Sequence, residues 1–185
     1  SLAFQEPLFA SQLSYAHTPP PELACARMAG YSIPSFLIGQ RTNGAVVSSA
    51  TLVAASGSGA ASLGSYCRVS GQIRPIDPTA PDINFLVNLP VEWNRKAMMF
   101  GGAGFDGEQV FINFVHAGTS TQLSPQGRGY AVFGSDGGHV QTEPFIFGRD
   151  GSFAVNDEAL DNYASQALKK TRDVAINIIT SYYGR

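Results

Sequence analysis

The sequence has little charge and no long apolar run, and each shortage argues against a class of partner. Its 185 residues carry 12 basic and 14 acidic side chains, a formal net charge of −2. So weak a charge, scattered along the chain, argues against nucleic acid as a partner. No apolar run approaches the roughly 20 residues of a transmembrane helix, so we expect no membrane partner. A hydrophobic content of 44% with 20 glycines and 11 prolines instead favours one globular, turn-rich domain.

Cysteine is scarce, and the two that occur do not form a metal-binding pattern. Cys25 and Cys67 belong to no CxxC pair and have no neighbouring histidine, so we predict no metal site. A disulfide between them would stabilise the fold by about 4 kcal/mol in the chain-entropy model. Two buried free thiols in a cytosolic protein explain the same residues equally well, and both interpretations stay open at this point.

The pattern along the chain predicts an arm followed by one domain. Residues 1–24 contain a proline triplet and little periodicity, so we expect an extended arm, with the domain over 25–185. Alternating apolar residues predict a strand over 83–89, with 69–74 as its hairpin partner and a further strand over 46–53.

Two short apolar runs, 97–100 and 130–134, each lead into a glycine-rich turn. Each run predicts a strand that is covered on both faces. Buried strands that end in glycine-rich turns indicate an open α/β sheet, whose ligands gather at the carboxyl ends of the strands.

Residues 157–183 predict a long amphipathic helix that packs on this sheet. Asn156 is its candidate N-cap and Gly184 its C-terminal stop. Its apolar positions recur at three- and four-residue steps: Leu160, Tyr163, Ala167, Val174, Ile178 and Tyr182. A doubly wound sheet needs a further strand beyond such a helix, so we expect another chain or segment to complete the folding unit.

The glycine run 101–104 is the first candidate for chemistry. It lacks the lysine and hydroxyl residue of a phosphate loop, which makes nucleotide binding a weak interpretation. Backbone N–H groups of such a run can face a reacting oxygen, as they do in α/β-hydrolases. A plain tight turn is the alternative.

Asp136 and His139 form the second candidate, at the end of the run 130–134. A carboxylate three residues before a histidine is able to orient the ring, although holding the loop is the role we favour over catalysis. No serine stands in a G-x-S-x-G elbow, so the chain offers no serine nucleophile.

A succession of motifs resembles the amino-terminal part of the tannase and feruloyl esterase family. In chain order it comprises YCRVSG at 66–71, LP-x-x-WN at 89–94, GG-x-G at 101–104, SDGGH at 135–139 and YYGR at 182–185. The match extends from about Cys25 to the final residue.

The resemblance implies an α/β-hydrolase fold and a secreted or periplasmic serine esterase that acts on esters of substituted aromatic acids. It implies that the backbone N–H of Gly104 is one oxyanion-hole donor, with Ala103 and Phe105 beside it. It places Asp136 and His139 near the pocket. It also implies that the two cysteines form a disulfide.

In this family the catalytic serine, aspartate and histidine, and a calcium-bearing lid, follow the YYGR element. We therefore expect this chain to need the carboxy-terminal chain or segment of the same enzyme, to hold no cofactor itself and to be inactive alone. Two positions depart from the family pattern: Ala103 replaces a glycine or serine, and Arg95 replaces a glycine. The alternatives are a non-catalytic binding module of hydrolase ancestry and a structural domain whose helix packs against a partner.

Overall fold

The computed structural model of the chain describes residues 19–102, 105, 107, 121–141 and 150–184. Within these ranges six strands form one open sheet in the order β1-β2-β3-β4-β6-β5. The strands are β1 (Ser32–Ile33), β2 (Ala45–Val53), β3 (Tyr66–Ile73), β4 (Ile83–Pro90), β5 (Ala97–Met99) and β6 (Ala131–Ser135). The helices are α1 (Pro21–Ala26), α2 (Asp157–Asp161) and α3 (Ala167–Tyr183). The predicted α/β class is confirmed.

The first four strands form an antiparallel meander, as the alternating pattern predicts. β3 and β4 pair from Tyr66 opposite Pro90 to Ile73 opposite Ile83. β3 begins three residues before the predicted 69–74, because its first residues pair with the end of β4. On the inward face, Val69 of β3 and its partner Val87 of β4 are fully buried, which fixes the register of this pair.

One strand differs from its prediction. The sequence predicts that the run 97–100 is covered on both faces, yet β5 exposes Ala97 and leaves Met98 and Met99 only partly buried. The reason is its place at the sheet edge: β5 pairs in parallel with β6, and no other described strand lies beside it. β6 is buried at all five positions, as predicted.

The predicted helix exists, with both caps, but it is interrupted. The side chain of Asn156 accepts a hydrogen bond from the N–H of Ala159 at 2.9 Å. Gly184 adopts a left-handed φ of 68° and its N–H donates to the carbonyl of Thr180. Between α2 and α3, the turn Asn162–Gln166 is π-helical.

The π turn explains why two predicted apolar positions are wrong. Leu160 and Tyr163 are 42% and 36% exposed. The turn inserts an extra residue into the helix, so Ala159 and Asn162 take the buried positions instead. From Ala167 onward the pattern holds, and the buried face of α3 packs on β4 and β6.

The amino-terminal region corrects the boundary of the predicted arm. Residues 21–24 belong to α1, whose first residue is Pro21, a favoured position for proline. Residues 1–18 lie outside the described part of the chain. The expected disulfide is present: Cys25 of α1 is bonded to Cys67 of β3, with Cα atoms 5.5 Å apart, and both residues are buried.

Within the described ranges, none of the helices combines the length and the apolar character that crossing a bilayer requires.

Arg95 is held in a backbone conformation that favours glycine. Its φ is 65°, because the turn before β5 is tightened by Asn94, whose side chain accepts from the N–H of Lys96 and donates to the carbonyl of Arg128. A side chain in this region costs about 1–2 kcal/mol. We therefore expect Arg95→Gly to raise the free energy of unfolding by about 0.5–1 kcal/mol after the greater flexibility of unfolded glycine is subtracted.

Urea unfolding of the variant and of a matched control measures this effect. Arg68→Gly removes an exposed arginine from β3, where no left-handed conformation is needed, and should lower stability by about 0.5–1 kcal/mol. Equal losses in both variants would contradict the strain at Arg95.

Candidate active site

The carboxyl ends of β5 and β6 bring two glycine-rich loops together. The strands are parallel neighbours, and the N–H of Phe100 extends their pairing by donating to the carbonyl of Phe133 at 2.8 Å. The loop after β5 therefore starts beside the loop after β6. Ala103 and Gly104 of the first loop lie outside the described residues, whereas Phe105 and Gly107 on their carboxyl side are described.

Gly107 bonds the first loop to the second on both sides of its peptide unit. Its N–H donates to the carbonyl of Asp136 at 3.0 Å, and its carbonyl accepts from the N–H of Gln141 at 2.8 Å. Its φ is 82°, and a Cβ there would lie 2.8 Å from the ring of His139. Only glycine meets both conditions, so the junction of the loops depends on it.

Asp136 uses its carboxylate to hold the second loop. Its oxygens accept from the N–H and side-chain amide of Asn84, at 3.0 and 2.6 Å, and from the N–H of Gly138 at 3.0 Å. Burial raises the pKa of Asp136 to about 6, although these three donors favour the charged form. The carboxylate does not orient His139, since the ring Nδ1 has no hydrogen-bond partner in the described part of the chain.

The raised pKa of Asp136 predicts a pH-dependent loss of stability. Between pH 3.8 and about 6 the folded protein holds a proton on Asp136 that the unfolded chain has released. Raising the pH through this window therefore destabilises the native state, by about 3 kcal/mol relative to an Asp136→Asn variant whose side chain does not titrate.

Chemical denaturation of the wild type and the variant from pH 4 to 7 measures the difference. Asp77→Asn is the control. The N–H of Thr79 lowers the pKa of Asp77, so the contribution of this carboxylate to stability is lost only as the pH falls below 4. The difference between the wild type and this control should therefore not change from pH 4 to 7. If the difference in free energy of unfolding between the wild type and Asp136→Asn does not change with pH, the raised pKa of Asp136 is contradicted.

His139 lies in a cluster of aromatic rings that joins four segments of the chain. The ring is 3% exposed and stacks on Phe153, with centroids 3.7 Å apart and planes at 16°. Tyr163 meets it edge-on at 5.8 Å and meets Phe105 edge-on at 6.2 Å. We call Phe105, His139, Phe153 and Tyr163 the aromatic cluster. It anchors the loop after β5 to the loop after β6 and to the π turn.

The surroundings of His139 keep its ring neutral at pH 7. Burial lowers the pKa of the imidazole, while the charge of Asp150 and a hydrogen bond with the backbone of Phe105 oppose this shift without reversing it. A neutral ring has one N–H donor and one bare acceptor.

A pocket of about 210 Å³ opens beside the junction of the loops. Its lining residues are Asn84, Phe85, Leu86, Gly107, Ser135, Asp136 and Val140. Asp136 lines this pocket, His139 and Phe105 do not, and Ala103 lies outside the described residues, so the predicted substrate contacts stay a prediction. Phe105 is instead 42% exposed on the outer side of the aromatic cluster.

A buried ion-pair network under the second loop was missed by the sequence patterns. Lys170 is 1% exposed, donates to the side-chain oxygen of Asn162 at 2.7 Å and lies 3.7 Å from a carboxylate oxygen of Glu158. Burial lowers the pKa of Lys170, and the charge of Glu158 opposes the shift. A charged residue among apolar positions of a helix was the available signal.

Glu158 and Asn162 connect this network to the rest of the site. The Glu158 carboxylate accepts from the N–H groups of Ile76 and Asp77, at 3.0 and 2.6 Å. A Cβ at Gly138 would lie 3.1 Å from Asn162, so the second loop rests directly on the network. In the described ranges, no three histidine, cysteine, aspartate or glutamate side chains are grouped to hold a metal ion.

An open sheet with helices packed on it, and with glycine-rich loops bonded together at the carboxyl ends of adjacent parallel strands, is the arrangement of an α/β-hydrolase core. A family model narrows this class. The chain belongs to the tannase and feruloyl esterase family, whose model matches residues 67–185. The resemblance inferred from the motifs is confirmed.

Two relatives are esterases or ester hydrolases by their names. The chain is 42% identical over 160 residues to an uncharacterised esterase of Agrobacterium fabrum, covering 86% of this chain and 28% of the relative. It is 28% identical over 132 residues to the mono(2-hydroxyethyl) terephthalate hydrolase of Piscinibacter sakaiensis, covering 68% of this chain and 22% of that protein. The chain thus spans between a fifth and a third of the length of these relatives.

Solved structures share the fold. Feruloyl esterase B from Aspergillus oryzae matches with a TM-score of 0.61 and 21% identity, over 89% of this chain and 31% of that one. Another esterase from Aspergillus oryzae matches with a TM-score of 0.57 and 17% identity, with the same coverage. Tannin acyl hydrolase from Aspergillus niger matches with a TM-score of 0.51 and 16% identity, over 84% of this chain and 31% of that one.

Proposed function

We propose that this chain is part of a serine carboxylic ester hydrolase that cleaves esters of substituted aromatic acids, and that its share in the chemistry is the backbone N–H of Gly104. A carboxy-terminal segment of the same enzyme supplies the catalytic serine, histidine and aspartate. The enzyme is secreted or periplasmic, which agrees with the buried disulfide, since disulfides persist in oxidising compartments.

The reaction is acyl transfer through a covalent intermediate. The serine oxygen attacks the ester carbonyl while the histidine accepts its proton, and the carbonyl oxygen becomes an oxyanion. The N–H of Gly104 donates to that oxygen. The intermediate then expels the alcohol, which takes the proton from histidine, and water releases the acid from the serine by the same steps. One such donor contributes about 3 kcal/mol to the transition state.

The observation that carries the proposal is the bonded junction of the two loops. A preorganised donor stabilises a developing charge without rearranging at the moment of reaction. Three residues beyond Gly104, Gly107 is hydrogen-bonded through both its N–H and its carbonyl to the loop after β6. Phe105, the next residue after Gly104, packs on Tyr163. These contacts fix residues that follow Gly104, and on that ground they support the proposed role.

The names of the relatives support the substrate class. Ferulate and terephthalate are aromatic acids, and the proteins that carry these names act on their esters. The shared feature is an aromatic ring on the acid side of the ester.

Hydrolysis of methyl ferulate and methyl gallate by the full-length protein tests the proposal. We expect Gly104→Pro, which removes the N–H, to lower kcat by about 10²–10³-fold. Gly104→Ala is the control because it keeps the N–H. If both variants lose activity through misfolding, inhibition of the wild type by a serine-directed phosphonate decides the mechanism. A wild type that hydrolyses neither ester would favour a binding module instead.

A further inference from the structure

His139 is a buried titratable residue that the proposed reaction does not use. The ring is 3% exposed and yet leaves one polar atom, Nδ1, without a hydrogen-bond partner in the described ranges. A buried unpaired acceptor costs about 1–3 kcal/mol. An apolar side chain in this position would avoid that cost, so packing alone does not explain a histidine here.

The other ring nitrogen faces the loop after β5. A Cβ placed on Gly107 would lie 2.8 Å from Nε2 of His139 and 2.8 Å from the adjacent ring carbon, Cδ2. The ring also forms a hydrogen bond with the backbone of Phe105 that favours the protonated imidazole, so the partner is the Phe105 carbonyl. Since Nδ1 is unpaired, Nε2–H is the donor of this bond.

The ring is prevented from turning away from the loop. Phe153 stacks on one face of it at 3.7 Å, and Tyr163 meets it edge-on. Gly107 leaves no space for a side chain between the loop and the ring. A rigid ring that donates to a single carbonyl fixes the position of that carbonyl.

We propose that His139 is a positioning residue: its Nε2–H donates to the Phe105 carbonyl and so holds the backbone that follows the proposed oxyanion donor. It neither touches the substrate nor transfers a proton. This inference rests on the proposed function for its catalytic consequence, whereas its structural part stands on the ring and the loop alone.

A pair of variants of equal length separates the hydrogen bond from packing. His139→Gln places an amide N–H near the position of Nε2, and His139→Met fills similar space without a donor. In the full-length protein we expect His139→Met to lower kcat for methyl ferulate about tenfold with KM within about twofold, and His139→Gln to restore most of the loss. A merely structural role predicts that kcat follows thermal stability in both variants.

Hydrogen exchange at the Gly107 amide gives a readout that needs no activity. The exchange should be faster in His139→Met and near the wild-type rate in His139→Gln. If the wild type hydrolyses no ester while this exchange pattern holds, the proposed function fails and the positioning role stands. Equal exchange in wild type and His139→Met, or equal loss in both variants, overturns the positioning role.

A last test of the positioning role uses only the wild type, so it does not depend on the folding of a variant. The ¹⁵N shifts of the His139 ring should show the neutral tautomer with its proton on Nε2. A proton on Nδ1 would overturn the inference.

Discussion

Replacing Cys25 and Cys67 together with alanine will lower the free energy of unfolding by about 4 kcal/mol. The two residues are 42 positions apart, and the bond between them prevents the unfolded chain from separating α1 from β3. Alanine adds no polar atom to the core, because its side chain is a methyl group. Since both positions are buried, the lost packing of the two sulfur atoms further lowers the free energy of unfolding. A loss of this size is a large part of the 5–15 kcal/mol that a domain typically has.

Guanidinium unfolding of the double variant, beside the wild type with and without reductant, measures this loss. The reduced wild type should unfold close to the double variant, since both lack the covalent bond. A double variant within 1 kcal/mol of the oxidised wild type would show that the bond contributes little to the constraint on the unfolded chain.

Lys170→Ala will lower the free energy of unfolding by about 3 kcal/mol. The substitution removes a side chain that is 1% exposed and leaves the side-chain oxygen of Asn162 without its donor. It also removes the positive charge 3.7 Å from Glu158. Breaking a buried ion pair typically costs 3–5 kcal/mol, and Glu158 keeps two backbone donors, which places the expected loss at the lower end.

Lys169→Ala is the matched control for this prediction. Lys169 also pairs with a carboxylate, that of Asp173, but 47% of its side chain is exposed. Pairs of that kind contribute about 0–1 kcal/mol. Thermal or urea unfolding of both variants compares them, and similar losses at the two positions would contradict a buried network at Lys170.

Most of the fold could be predicted because local patterns coincide with the final packing. The alternation in β4 and the caps of the carboxy-terminal helix are local signals, and both are confirmed. The half-exposed β5 could not be predicted, since an apolar run does not reveal how many neighbours its strand will have. The π turn was hidden for a related reason: the sequence of Asn162–Gln166 continues a helical pattern.

The candidate site could be predicted in part. Both glycine-rich loops were placed at strand ends by their position after apolar runs, and the structure brings them into contact. The orienting role considered for Asp136 is wrong, since its carboxylate is bonded to Asn84 and Gly138. The rings that contact His139 are those of Phe153 and Tyr163. The sequence could not predict these contacts, because only folding brings the three residues together. The role of Gly104 stays a prediction.

The strand order described above has a consequence for the sequence of events in folding. β2, β3 and β4 are neighbours both along the chain and in the sheet, so closing their hairpins requires only short loops. β5 pairs with β6 only after a crossover of more than thirty residues. The meander is therefore expected to form in the transition state and the β5 edge after it. Substitutions in β3 should then slow refolding, and substitutions in β5 should instead accelerate unfolding, which stopped-flow kinetics resolves.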